Sequence, residues 1–338
     1  MRHWLSATVL IAATLTTFAA GLFVWLFVAF NAPSPSAEPR TVIVARGLSV
    51  EEIGKLLTER GVTAHQMVFS LGVRLSGKAS ALKSGEYAFP VGASARTAMD
   101  VLVSGRTVVR HLTLPEGWTT AQALALVQSG EGLEGPLTLT PGEGALLPET
   151  YNYTWGDTRD GMVRRMMRAM NETLSDLWAK RPSDSPMTLA AETVIVASIV
   201  ERETGMANER PLVASVIVNR LKRGMRLQSD PTVAYGIAHG DGLPGDVLAR
   251  PLTRDDLLRP SLFNTYANDG LPPTAIANPG RAALLAALNP ARSDFLYFVA
   301  NGSGGHTFAK TLDEHNRNVA RWRAIGRERG NGAAGTAP

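Results

Sequence analysis

Apolar and polar positions along the chain alternate in three regimes, beginning with a continuous apolar run. Leu5 to Phe30 carry no charge and consist mainly of Leu, Ala, Val, Phe, Ile and Thr. At about 1.5 Å per residue the run can cross a bilayer core of about 30 Å. Arg2, His3 and the amino terminus precede it, and the first charges after it are Glu38 and Arg40. The positive-inside tendency then puts residues 1–4 in the cytoplasm and everything after residue 31 outside. A cleaved signal peptide is the rival, with an apolar region of roughly 7–15 residues before a small-x-small site. Here the run is longer, and the first candidate site, ending at Ala32, has Phe30 two residues earlier. The pattern favours an uncleaved transmembrane helix over residues 5–30.

Asn31 to Pro39 is rich in Pro and Ser and reads as a semi-extended linker (31–40) unlikely to pack. A small mixed unit over 41–109 follows. Thr41–Ala45 is rich in β-branched residues and predicts a strand. Ser49-Val-Glu-Glu52 has capping-box spacing and opens a helix that Gly61 stops. The spacing predicts another helix over 64–75, a strand over 85–89, a helix over 94–103 and a strand over 108–114. Helices are then predicted over 120–128, 161–181, 187–203, 209–222 and from Asp313, with a strand over 295–299. Gly302-Ser-Gly-Gly305 reads as a flexible turn, because no Gly-Lys-Ser/Thr follows it as in a phosphate loop. The tail 330–338 is small and polar and is expected to be disordered. The fold class is α+β: an N-terminal helix, a small subdomain and a larger mixed domain over 110–329.

The helix ending at Glu203 holds the candidate chemistry. From Thr193 to Val200 it is apolar on nearly every side, so it is expected to be buried all round. Glu201 and Glu203 sit at its C-terminal end and, about 200° apart, point in opposite directions. Glu203 shares a face with Val196, Ile199 and Val200; Glu201 falls over Val194, Ala197 and Ser198, a smaller and more polar face. A general acid working near neutral pH needs a desolvated carboxyl, and the helix C-terminus also disfavours the ionised form. Glu203 is therefore the preferred acid, with Glu201 as the alternative. Asn219 and Arg220 end the next helix, and Gln228, Ser229 and Asp230 lie in a turn closed by Pro231. With Tyr235, Asn264, Tyr266 and His306 they offer donors and acceptors suited to sugar hydroxyls on the loops of a rigid scaffold. For His306 a role in stabilising a turn is an equal alternative.

Composition narrows the classes. The 338 residues include 34 Lys and Arg, 30 Asp and Glu, and no cysteine, for a net charge of +4. No basic run appears, so nucleic acid is not an expected partner. Disulfides and thiolate metal sites are excluded, no H-E-x-x-H spacing occurs among the six histidines, and no cofactor is expected.

Ala197-Ser-Ile-Val-Glu-Arg-Glu-Thr204, Asn219-Arg220-Leu221, Gly224 to Val233 with Tyr235-Gly236, Asn264-Thr-Tyr266, Gly270-Leu-Pro-Pro273, Asn278-Pro-Gly280 and Gly305-His-Thr-Phe308 recur in order in one family. On these motifs, joined by Pro115-Glu-Gly-Trp-Thr119 and Glu143 to Tyr151, the chain resembles the endolytic murein transglycosylases, or YceG-like proteins. Thr274 and Glu149 depart from the usual Gly and Asp. The resemblance implies a bacterial inner-membrane enzyme with a LysM-like subdomain and a periplasmic catalytic domain. It implies cleavage of the β-1,4 bond between N-acetylmuramic acid and N-acetylglucosamine within nascent strands, leaving a 1,6-anhydro end. The family's catalytic glutamate maps onto Glu203. Glycan strands, the membrane and peptidoglycan synthases are the implied partners. A muramidase hydrolysing the same bond and a non-catalytic anchored glycan-binding scaffold stand as alternatives.

Overall fold

The computed structural model describes residues 2–240 and 252–334. The chain divides into two compact units. One comprises Met1–Arg110, Glu131–Leu133 and Asn152–Asp157; the other comprises His111–Gly130, Glu134–Tyr151 and Thr158–Pro338.

The first unit contains α1 (Arg2–Asn31), β1 (Arg40–Val44), α2 (Val50–Glu59), α3 (Gln66–Leu75), β2 (Gly85–Phe89) and α4 (Ala95–Ser104). The capping box forms as the spacing predicts: Ser49 Oγ accepts from the Glu52 amide, and the Ser49 amide donates to Glu52 Oε2 at 2.7 Å. β1 and β2 run antiparallel with Val42 opposite Tyr87. Leu57, Phe69, Val73, Tyr87, Ala98 and Leu102 are fully or almost fully enclosed between the strands and helices. α1 is the single helix among the described residues long and apolar enough to cross a membrane. Its last turns pack on this unit: Leu26 and Phe30 join the core, and the Phe30 ring lies where a Cβ on Gly72 would collide. The linker expected to run free is therefore held. Ser34 is buried and the Gly92 amide donates to the Ser36 carbonyl at 3.2 Å.

The chain continues through β3 (Arg110–Thr113), α5 (Thr120–Gln128) and β4 (Thr150–Tyr153), then α6 (Arg159–Ala179), α7 (Ala190–Glu203), α8 (Arg210–Lys222), α9 (Asp230–Gly240), α10 (Arg254–Leu258), α11 (Arg281–Leu288), β5 (Tyr297–Ala300), β6 (His306–Ala309) and α12 (Leu312–Ala334). β3 pairs with β4, and β5 with β6 in an antiparallel hairpin whose tip uses Gly302 and Gly304 at φ +81° and +97°. In the second unit α7 packs against both α8 and α11. Val196, Ala197, Ile199 and Val200 meet Val213 and Ala214 on one side and Ala283, Leu284 and Ala287 on the other, all fully buried. Thr193 and Val196 to Val200 are buried because two helices and the segment before α11 cover them, while Val194 and Ile195 stay partly exposed.

Several elements went unread in sequence. Gln228, Ser229 and Asp230 were expected in a turn closed by Pro231; instead Asp230 begins α9 with Pro231 as its second residue. Proline is tolerated there because the first-turn N–H has no intrahelical acceptor. α11, rich in Ala and Leu, is a strong helix former hidden among Pro and Gly loops. β4 and β6, at four residues each, are too short to show a period. α12 extends to Ala334, taking in residues 330–334 of the tail expected to be disordered; 335–338 lie outside the described residues.

Asn278, fully buried, joins the segments that cover α7. Its Nδ2 donates to the Trp118 carbonyl at 3.0 Å and its Oδ1 accepts from the Leu146 amide at 2.9 Å. Asn278→Ala strands the Leu146 amide, while the Trp118 carbonyl keeps the Asn278 backbone amide at 2.8 Å, and is expected to cost about 1–3 kcal/mol, read as a lower urea midpoint with an unchanged m-value.

Candidate active site

The last turn of α7 delivers its two glutamates to different surroundings. Glu201 enters a closed ion-pair cluster: its side chain is 3 % exposed, Oε1 accepts from Arg210 Nη2 at 2.8 Å, and Oε2 accepts from the Gly280 amide at 2.9 Å. Arg210 Nη2 also reaches Glu116 Oε2 at 3.0 Å. Gly280 has no side chain because a Cβ there would run into the Glu116 carboxylate. Both glutamates are partly buried, and burial is the largest influence on Glu203, in line with the desolvated place expected for it. Pairing, rather than dryness, separates them.

Glu203 faces a cavity of about 380 Å³ with an apolar wall from Ile199, Val216, Ile217 and Leu227. Its Oε1 accepts a hydrogen bond from Ser229 Oγ at 2.6 Å. Burial pushes its pKa up to about 7. The Ser229 hydroxyl and the positive charges of His306 and Arg220 pull the other way, while Asp230 adds to the rise. A carboxyl poised near neutrality can donate a proton and accept one back at the same pH.

Arg220, one turn after Val216 on α8, lines the cavity as well. The residue is 8 % exposed; Nε donates to the Leu296 carbonyl at 2.6 Å, and Nη1 donates to the Leu227 carbonyl at 2.8 Å and to Gln228 Oε1 at 3.3 Å. These bonds tie the 223–229 loop to the strand β5. Gln228 takes a left-handed conformation, φ +51°, the single positive φ at a non-glycine among the described residues. That conformation costs roughly 1–3 kcal/mol and is held here by the Gln228 amide bonding to the Thr265 carbonyl and the Ser229 amide to Thr265 Oγ1. The kink turns Ser229 and Asp230 toward Glu203.

Gln228, Asp230 and Tyr266 line this cavity with Glu203, as expected. Tyr266 donates its phenol to Asp230 Oδ1 at 2.6 Å; burial and that carboxylate push its pKa up, so it remains a phenol. Four other expected residues do not line the cavity. Asn219 Nδ2 is spent on the carbonyls of Ser293 and Phe295, beside a different cleft. Asn264, fully buried, donates to the carbonyls of Leu257 and Arg259 and accepts from the Tyr266 amide, so it shapes the loop that presents Tyr266. Tyr235 donates to Glu143 Oε2 at 3.2 Å and packs on Phe263. His306 sits behind the wall residue Phe298, ring edge to face, with Nδ1 2.7 Å from Glu209 Oε2. Its backbone amide also donates to Glu209 Oε1 at 2.7 Å, so it ties the start of β6 to the start of α8. Burial opposes the Glu209 charge, but hydrogen bonds from His306 and Thr204 outweigh it and keep that pKa low.

Phe298 and His315 were missed as site residues, whereas Ser229 and Arg220 were among the polar residues offered for sugar hydroxyls and here bond to Glu203 and to backbone carbonyls respectively. Ser229 and Arg220 stood in the quoted motifs; a serine just before a helix start and an arginine ending an apolar helical run were signals available in sequence. Phe298 reaches the cavity from β5, where the strand predicted over 295–299 placed it without a role, and His315 reaches it from α12 with no signal in sequence. Among the described residues no cluster of three or more His, Cys, Asp or Glu side chains is placed to hold a metal ion.

The sequence pattern of the YceG-like family matches residues 42–321. The chain belongs to the YceG-like family. Relatives named endolytic murein transglycosylase occur in Streptococcus pneumoniae strain D39, 30% identical over 323 residues, and in Bacillus subtilis strain 168, 30% identical over 307 residues. The alignments cover 83% and 81% of this chain, 58% of the streptococcal protein and 82% of the Bacillus protein. The chain thus spans under two thirds of the streptococcal relatives it matches. A 2.6 Å crystal structure of a yceG-like protein from Listeria monocytogenes superposes with a TM-score of 0.52 at 29% identity, covering 83% of this chain and 99% of that one. The YceG-like fold is therefore shared across most of the chain.

Glu201→Ala leaves Arg210 buried beside Glu116 alone and is expected to cost about 3–5 kcal/mol in chemical denaturation. Glu203 behaves oppositely. Its folded pKa lies above the unfolded value near 4.5, so the folded protein binds the extra proton between about pH 4.5 and 7 and loses stability as pH rises through that window. Glu203→Gln is expected to raise the melting temperature at pH 8, by the equivalent of about 1–3 kcal/mol, and to leave it nearly unchanged at pH 4.5.

Proposed function

We propose that this chain is a peptidoglycan lytic transglycosylase that cuts the N-acetylmuramic acid β-1,4 N-acetylglucosamine bond inside nascent glycan strands. The observation that supports this most directly is Glu203: an acid poised near pH 7, aimed into a cavity of ligand-binding size, with Ser229 bonded to its carboxyl. The names borne by the relatives from Streptococcus pneumoniae and Bacillus subtilis support the same substrate class.

Protonated Glu203 gives its proton to the bridging oxygen as the bond from that oxygen to the anomeric carbon breaks and positive charge develops on the sugar. The carboxylate so formed takes the proton from the sugar's own 6-hydroxyl, whose oxygen closes onto the anomeric carbon. Water is neither consumed nor released, and Glu203 ends protonated, as it began. Ser229 holds the carboxyl in place and stabilises its charged state midway. The Asp230 carboxylate, on the same cavity wall, favours the developing positive charge. Gln228 and Tyr266 are assigned to the sugar's polar groups.

The α1 helix serves as a single-pass inner-membrane anchor, its N-terminus cytoplasmic and both units periplasmic, which confines the site to newly exported strands. The unit over 41–109 is assigned as LysM-like on its β1-α2-α3-β2 order, and 110–329 as the catalytic domain. Strand termination and association with peptidoglycan synthases follow from that placement.

Asp230 favours one second reading. Two carboxylates in one cavity could instead activate water, making the chain a muramidase. Mass spectrometry of digested glycan decides between them: 1,6-anhydro ends are expected, and reducing ends, heavier by one water, would reject the lytic assignment.

Glu203→Gln is expected to lower cleavage by at least about 10²-fold while folding normally. Cleavage by the unaltered protein should decline as pH rises through about 7, because the acid must begin protonated. Ser229→Ala removes a bond to the carboxylate form, so this alkaline limb should move to higher pH while the maximal rate falls. An unmoved limb would place the titrating group elsewhere.

A further inference from the structure

We propose that α3 lies in the membrane interface, its Met67, Leu71 and Leu75 edge sunk among lipid acyl chains beside the anchor, so that the first unit rests directly on the bilayer. This rests on α1 crossing the membrane. α3 is apolar on two faces. Val68, Phe69 and Val73 fill the core of the unit, whereas Met67, Leu71 and Leu75, spaced four apart, are 72%, 43% and 66% exposed. One exposed leucine needs no explanation, but three in a line along a helix mark a contact surface.

The position of α1 identifies that contact as lipid. Phe30 packs onto Gly72, whose missing side chain permits a close helix approach of the kind membrane helices use. Leu22, Phe23 and Leu26 of α1 and Leu71 and Leu75 of α3 line a shared apolar cleft of about 310 Å³. The edge of α3 is therefore continuous with the face that α1 turns toward the bilayer. The length of α1 fits the same placement. Its apolar run from Leu5 to Phe30 spans roughly 39 Å, about 9 Å more than the hydrocarbon core needs. That surplus matches the depth of roughly 5–10 Å to which interfacial helices sink. Trp25, at the start of the surplus turns, is 57% exposed, as suits an aromatic at the membrane boundary. Arg74 and Lys78 are exposed near the C-terminal end of α3, Arg74 in an ion pair with Glu51 at 2.6 Å.

The absence of cysteine makes the test direct. Single cysteines at Met67, Leu71 and Leu75, all exposed, are labelled with an environment-sensitive fluorophore in the full chain. The protein is reconstituted in phosphatidylethanolamine and phosphatidylglycerol vesicles carrying spin-labelled acyl chains. A label at Phe18, within the anchor, and one at Lys55, exposed on α2, are the references. Labels at 67, 71 and 75 are expected to shift to the blue and to be quenched comparably to the Phe18 label, with Lys55 unquenched. Quenching at Phe18 alone would overturn the proposal while leaving the anchor intact. No quenching even at Phe18 would remove the anchor and the proposal together. A blue shift at the three sites without lipid quenching would assign the edge to a protein contact, such as a second copy, and would also overturn it.

Discussion

The guanidinium of Arg220 sits beneath the candidate site and gathers the carbonyls of Leu296, Arg226 and Leu227 together with Gln228 Oε1. An arginine buried to 8 % exposure without a carboxylate partner among the described residues must satisfy its donors on the backbone, and here those carbonyls belong to two separate segments. The loop of 223–229 and the strand β5 are fixed to each other through one side chain, which also lies 5.0 Å from the Tyr297 ring. Burial disfavours its charge and lowers its pKa, yet its positive field still opposes the rise at Glu203. Withdrawing Arg220 would leave four acceptors without that donor, while the kink at Gln228 keeps its bonds to Thr265.

The division of labour between Glu201 and Glu203 follows from how α7 ends. Both carboxylates leave the same helical turn, and both lose bulk water. Arg210 and the Gly280 amide compensate one charge, which therefore stays as part of the scaffold. The other meets one hydroxyl and a neighbouring carboxylate, and its proton becomes easy to keep and easy to give. A single helix end thus supplies a structural ion pair and a titratable acid, because the facing segments differ in charge.

Polar residues around the cavity sort in the same way. Asn219, Asn264, Tyr235 and His306 are hydrogen-bonding types in suggestive places, and each is committed to another part of the protein. Their types were legible in sequence; their partners were not. Asn219 and Arg220 adjoin on α8, yet a rotation of about 100° sends one to the 293–295 segment and the other to the cavity. Adjacency along a helix is a poor guide to a shared site.

Local patterns by themselves determined the N-terminal apolar helix, the capped start of α2, the buried character of α7, its end at Glu203 and the opposed directions of the two glutamates. Each depends on periodicity or on bonds within a few residues. The motifs also carried the family, which the match over 42–321 bears out. Tertiary structure alone decided which glutamate is neutralised, that Ser229 rather than Asn219 meets Glu203, that Phe298 and His315 reach the cavity, and that the linker after α1 is held against the first unit. Those outcomes depend on segments up to about a hundred residues apart meeting in space, and a charge partner or a desolvating wall brought from that distance leaves no period in the chain.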